Sequence, residues 1–166
     1  MYVKEVDCNE YARFFKNQSI LYNTVAFNSA VISKCDKLVF YFFVDGKVKL
    51  GLISGIKENS FMCPFSAPYA CFSFQDEKIG LKYILKALVV LEEYLIKEKI
   101  HFTKFILPPY FYCEHIISKL VYCYFNSGYT AIVDDNHFFC LKDYEKYEVG
   151  KLTKGIKYNL KVAQES

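Results

Sequence analysis

The 166-residue chain carries 21 Lys plus Arg against 18 Asp plus Glu, a formal charge of +3, with 53% hydrophobic and 23% charged residues. That length suits one domain with an ordinary core, and the apolar content excludes a disordered chain, which lacks the surface to offset ordering entropy. The longest apolar runs, such as Leu38–Val44, fall far short of the ~20 residues of a membrane-spanning helix, and the charged first ten residues do not read as a signal peptide. The expected chain is soluble and cytoplasmic.

Seven cysteines fall at positions 8, 35, 63, 71, 113, 123 and 140, without CxxC or zinc-finger spacing. An odd count and no secretory signal predict reduced thiols, mostly buried as small apolar residues, and no metal site. Arg13 is the single arginine among the basic residues. A reader of nucleic-acid bases normally uses several, so nucleic-acid recognition is not expected from composition.

In chain order, a short helix is expected near Asn9–Lys16, then an irregular polar segment over Asn17–Lys37. Leu38–Val44 and Lys47–Ile56 are rich in β-branched and aromatic residues and flank Asp45-Gly46. That dipeptide predicts a hairpin whose turn has positive φ at both central residues. A second turn at Lys57–Asn59 leads to a third strand, Ser60–Cys63, and completes an antiparallel meander. The next segment, Pro64–Phe72, is too proline-bound for a helix and too apolar for an ordinary surface loop.

Gln75–Lys99 reads as a long helix, with Lys82, Lys86, Glu93 and Lys97 on one stripe and Ile84, Leu88, Leu91 and Leu95 on the other. A strand over Phe102–Leu107 ends at Pro108-Pro109. A second helix over Tyr112–Asn126 presents Ile116, Ile117, Leu120, Val121, Tyr124 and Phe125 at helical spacing, with Gly128 as its expected terminator. Two short strands, Tyr129–Val133 and His137–Leu141, and a helix from about Gly150 complete the chain. Helices on a mostly antiparallel sheet of about six strands, with one strand–helix–strand crossover, make a mixed α/β, α+β-like fold.

No phosphate-binding loop of the GxxxxGK[ST] or GxGxxG type is present, and no GxSxG elbow. Three segments carry candidate chemistry. In Pro64–Phe72 the prolines fix the backbone and small side chains, Ser66 among them, permit close approach; Tyr69 adds a hydroxyl. Leu107–Tyr112 brings Tyr110 and Tyr112 to the carboxyl end of a strand, where α/β sheets place ligands. In the terminal helix, Lys154, Lys157 and Lys161 share a face able to meet phosphate or an acidic partner. Each segment also has a plain structural reading: a stiff crossover, a rigid helix start, a solvated helix face.

Together these segments resemble a known family. Tyr41-Phe42-Phe43-Val44-Asp45-Gly46, then Cys63-Pro64-Phe65-Ser66-Ala67-Pro68-Tyr69, Ile106-Leu107-Pro108-Pro109-Tyr110 and Lys157-Tyr158-Asn159-Leu160-Lys161-Val162-Ala163 run in the same order as in bacterial GNAT-type N-acetyltransferases of the FemAB-like group. The chain looks like the N-terminal half of such a protein. The resemblance implies a single GNAT-like domain over 1–166 and acyl or aminoacyl transfer to an amine, with catalytic residues left open. It implies substrate contacts at Ser66, Tyr69, Tyr110, Tyr112, Lys157 and Asn159. It further implies acetyl-CoA or another acyl donor, an amine acceptor, and a second GNAT-like half or another copy as partner, with tRNA as a conceivable donor carrier. The family's pyrophosphate loop is not found: Gln75–Gly80 has one glycine and two acids where phosphate would sit. A non-catalytic half that recognises substrate or docks on a second domain is the alternative.

Overall fold

In the computed structural model, β1 (Tyr2–Val6) and α1 (Cys8–Phe14) open the chain, followed by the short α2 (Val25–Ala30). The meander is β2 (Lys37–Asp45), β3 (Lys47–Lys57) and β4 (Ser60–Cys63), with a two-residue β5 (Ser73–Phe74) after it. Then come α3 (Leu81–Lys97), β6 (Phe102–Phe105) and α4 (Glu114–Asn126). The structure describes residues 1–76 and 78–133, and Met1–Ala131 forms one compact unit. Among the described residues no helix is long and apolar enough to cross a membrane.

The sheet runs β1-β2-β3-β4-β6, with β5 on β3. Among the described residues all pairings are antiparallel except β4 with β6, which are parallel with Cys63 opposite Phe105. The mixed, mostly antiparallel six-stranded sheet flanked by helices is therefore as expected, but its membership differs. β1 and β5 supply strands that were not expected. Tyr129–Val133 forms no strand, and His137–Leu141 and the terminal helix lie outside the described residues.

Alternation along β2 sorts the core into two faces. Val39, Tyr41 and Phe43 join Leu50, Leu52 and Phe61 under the buried stripe of α3 (Ile84, Leu88, Leu91, Leu95) and that of α4. Phe40 and Phe42 point the other way and meet Tyr11 and Phe15 at α1, with Val6 and Ile53. The expected stripe of α4 needs one correction: Ile116, Ile117, Leu120 and Tyr124 are buried, but Val121 and Phe125 face out, Phe125 at 72% exposure. Cys123 takes the inner position instead. Of the six described cysteines, three are buried, fewer than expected.

Local chemistry explains the other differences. The Asp45-Gly46 hairpin forms, but only Gly46 takes a positive φ, 70°, between the paired Asp45 and Lys47. A register shift between Phe43 and Val44 replaces the expected two-residue turn. α3 starts at Leu81, not Gln75, because Asp76 binds the backbone N–H of Lys78 at 2.8 Å and Ile79 N–H donates to the Asp76 carbonyl, closing a turn first. Gly128, at φ 85°, terminates α4 as expected. α1 begins where the Asp7 carboxylate accepts from the Glu10 N–H at 2.8 Å. Asp7→Ala should cost about 1 kcal/mol in chemical denaturation, and Asp7→Asn much less; an Ala variant as stable as the parent would show that the cap contributes nothing.

Candidate functional site

Because β4 and β6 run parallel, both release their chains at the same end of the sheet. Residues 64–72 leave β4 through a cis Cys63–Pro64 bond. They are stitched to the segment after β6: Ile106 N–H donates to the Cys63 carbonyl and Ala70 N–H to the Ile106 carbonyl, each at 2.9 Å. Phe65 lies so close to Gly55 of β3 that a Cβ there would sit 2.4 Å from its ring. The two proline-fixed segments singled out from the sequence are thus neighbours in space.

Their tyrosines meet. The Tyr69 and Tyr112 hydroxyls hydrogen-bond one another, with ring centroids 5.1 Å apart. Tyr22 packs edge-on against Tyr69, also at 5.1 Å, and Phe111 stacks on Tyr112. Tyr110, Phe111 and Tyr112 form a single 3-10 turn after Pro109 and stay exposed, Tyr112 at 50%. α4 accordingly begins at Glu114, two residues later than expected, with Cys113 at its cap. Ser66 is half-buried in the same loop as Tyr69. Burial, then the hydrogen bond it donates to the Tyr112 hydroxyl, raises the pKa of Tyr69; at neutral pH it offers a hydroxyl and not a base. Lys154, Lys157, Asn159 and Lys161 lie outside the described residues.

Sequence reasoning missed the residue that anchors this cluster. Asn23, only 4% exposed, accepts from Cys71 N–H through Oδ1 at 3.1 Å and donates from Nδ2 to the Cys71 sulfur at 3.5 Å. It is one of two buried amides, with Asn28, in the segment read as irregular, where α2 in fact forms behind the Thr24 hydroxyl, which accepts from Phe27 N–H. A polar side chain is buried there because its bonds are met. The signal was not local: the partner lies 48 residues away. Beside this contact is a cavity of about 70 Å³, lined among others by Asn17, Gln18, Asn23, Cys71, Cys113 and Ile116.

The start of α3 has a different character. Among the described residues no side chain caps the helix start at Gly80, where the first-turn N–H groups make the end of the helix positive. Lys49 and Lys82 place their ammonium groups 4.6 and 5.0 Å from the centre of the Tyr83 ring, and Lys119 donates to the Ile79 carbonyl at 3.1 Å. Asp76, expected to repel a phosphate, turns its carboxylate into its own turn. Glu77 lies outside the described residues.

Among the described residues two buried hydroxyls, those of Tyr124 and Tyr129, lack a hydrogen-bond partner. Tyr124 stands between Phe72 and Phe105. Burial drives its pKa well above the usual tyrosine value. An orphaned hydroxyl costs about 1–3 kcal/mol, which a polar ligand atom reaching it would relieve. No protein-family model, curated protein or solved structure matches this chain.

Proposed function

We propose that the chain is a GNAT-like acyltransferase domain of the FemAB-like type, moving an acyl or aminoacyl group from a thioester or similar donor to an amine. The observation that carries this reading is the convergence of Tyr69 and Tyr112 at the shared end of the parallel β4–β6 pair. The element order β-α-α, three-strand meander, helix, strand, helix supports the same fold. Acyl transfer to an amine needs two oriented reactants, a place for the donor's charge and hydrogen-bond donors near the reacting carbonyl. The uncapped start of α3 with Lys49 and Lys82 is suited to the phosphates of acetyl-CoA or a longer acyl-CoA. The aromatic cluster, with the Tyr69 hydroxyl and the neighbouring cavity, is suited to orient the acceptor amine.

Calorimetry and thermal shift with acetyl-CoA and longer acyl-CoAs test this. A donor at a hundred times its Kd should raise stability by about 2.7 kcal/mol, and the Lys49→Ala/Lys82→Ala variant should bind more weakly with unchanged folding. Silence across the panel from folded protein would favour the second reading, a non-catalytic half that recognises substrate or docks on another domain or copy. The outward Val121, Tyr122 and Phe125 of α4 speak for that alternative, since a docking half needs an apolar face.

A further inference from the structure

A second cavity, of about 310 Å³, opens at the start of β6, the end away from the Tyr69–Tyr112 pair. Glu92 of α3 lines it, half-buried and, among the described residues, without an ion pair. Tyr129 lines it too. Its hydroxyl is buried and lacks a hydrogen-bond partner, while burial, then the charge of Glu92, raises its pKa. The hydroxyl thus stands near enough to feel the carboxylate without bonding to it. The chain leaving α3 meets the cavity at Ile100, and the chain leaving α4 meets it at Ser127 and Gly128. The negative ends of two helix dipoles therefore lie close by. Lys97 and Lys99 at that end of α3 are exposed and do not line the cavity; of the described lining residues only His101, exposed at its rim, can carry positive charge. Carbon comes from the buried Leu95, from Ile100 and from Ile96, which is 72% exposed.

We propose that this cavity binds a small organic amine in its ammonium form, with the charge on Glu92 and the carbon body against Ile96 and Ile100. The unpaired carboxylate and the two helix ends select positive charge, and the half-buried Tyr129 ring offers a face for it. One ammonium N–H can bond Glu92 while another bonds the Tyr129 oxygen, which has lone pairs to spare. An anion would be repelled by Glu92. A plain hydrocarbon would cover both polar groups and satisfy neither. A bare metal ion is not the occupant, because among the described residues no three metal-ligating side chains come together and the walls are largely carbon. The site does not rest on the transferase reading, since it lies at the other end of β6 from Tyr69 and Tyr112.

Calorimetry and NMR titration of the full chain with butylammonium and phenethylammonium test this, with butanol and butyrate as the uncharged and oppositely charged probes. At least one amine should bind a single site with a Kd near or below about 1 mM and shift the Thr103 and Tyr129 resonances, which butanol and butyrate should leave in place. Glu92→Gln keeps the shape, removes the charge and should weaken binding about tenfold or more, with Tm unchanged. Ile96→Ser, at an exposed position that folding does not need, should weaken it about threefold. Tyr129→Phe should keep or raise Tm, because it deletes an unpaired buried hydroxyl. Silence from both amines overturns the proposal, as does parent affinity in Glu92→Gln or in Ile96→Ser. Butanol bound as tightly as the amines also overturns it, by making the cavity an apolar one. So does a lowered Tm for Tyr129→Phe, which would mean that the hydroxyl already bonds Glu92 and the carboxylate has its partner.

Discussion

Replacing Phe72 by Ala should lower stability by about 3–5 kcal/mol, a large part of what a domain of this size possesses. Phe72 is 1% exposed, and its ring meets Phe43 of β2 edge-on at 5.3 Å and stacks near Tyr124 of α4. It therefore joins the sheet to the second helix layer. The loss has two sources: the ring's transfer free energy, and a void that the flanking backbone cannot close, because Cys71 is held by Asn23 and Ser73 belongs to β5. Denaturant titration should show a lower midpoint with unchanged slope, and Phe72→Leu should recover more than half of the loss. A Phe72→Ala variant within about 1 kcal/mol of the parent would mean that the ring is not packed as described.

Gly55→Ala should be next in size and more damaging to ligand binding than to folding. A methyl at Gly55 would lie 2.4 Å from Cγ and 2.6 Å from Cβ of Phe65. Contact with Cβ means that rotating the ring cannot relieve the clash, so the Pro64–Phe72 backbone must move. Overpacking of this kind costs about 1–3 kcal/mol. The displaced loop should also separate Tyr69 from Tyr112, weakening donor or acceptor binding more than the stability loss alone explains. The pair is testable by a double-mutant cycle: Phe65→Gly, which removes Cβ as well as the ring, should be less destabilising in the Gly55→Ala background than in the parent. Strict additivity would show that the two residues do not compete for space.

Much of this architecture was legible because it rests on local patterns. Ser60–Cys63 was found to the residue, and the buried stripe of α3 followed from 3–4 spacing. β1 was missed because Tyr2–Val6 is short and carries Lys4 and Glu5, as edge strands do. α2 was missed because six residues give too little periodicity to read. Val121 and Phe125 fit the same spacing as their buried neighbours; which rim of a helix faces water is decided by what lies opposite. The site was half legible. Pro-Phe-Ser-Ala-Pro-Tyr and Leu-Pro-Pro-Tyr announced two rigid loops, and both tyrosines that meet were among the candidates. Asn23 and Tyr22 went unremarked because their meaning depends on partners that the topology supplies.

The parallel pairing of β4 with β6 also sets an order of events in time. β2 and β3 are joined through Gly46 alone, so their contact closes almost no loop. Tyr69 and Tyr112 stand 43 residues apart, and α3 occupies much of the chain between them. Loop-closure entropy must be met before such distant contacts reward it. The hairpin can exist without the crossover, but the tyrosine pair cannot. The hairpin can therefore form before the site does, and a chain arrested between the two would be structured and inert.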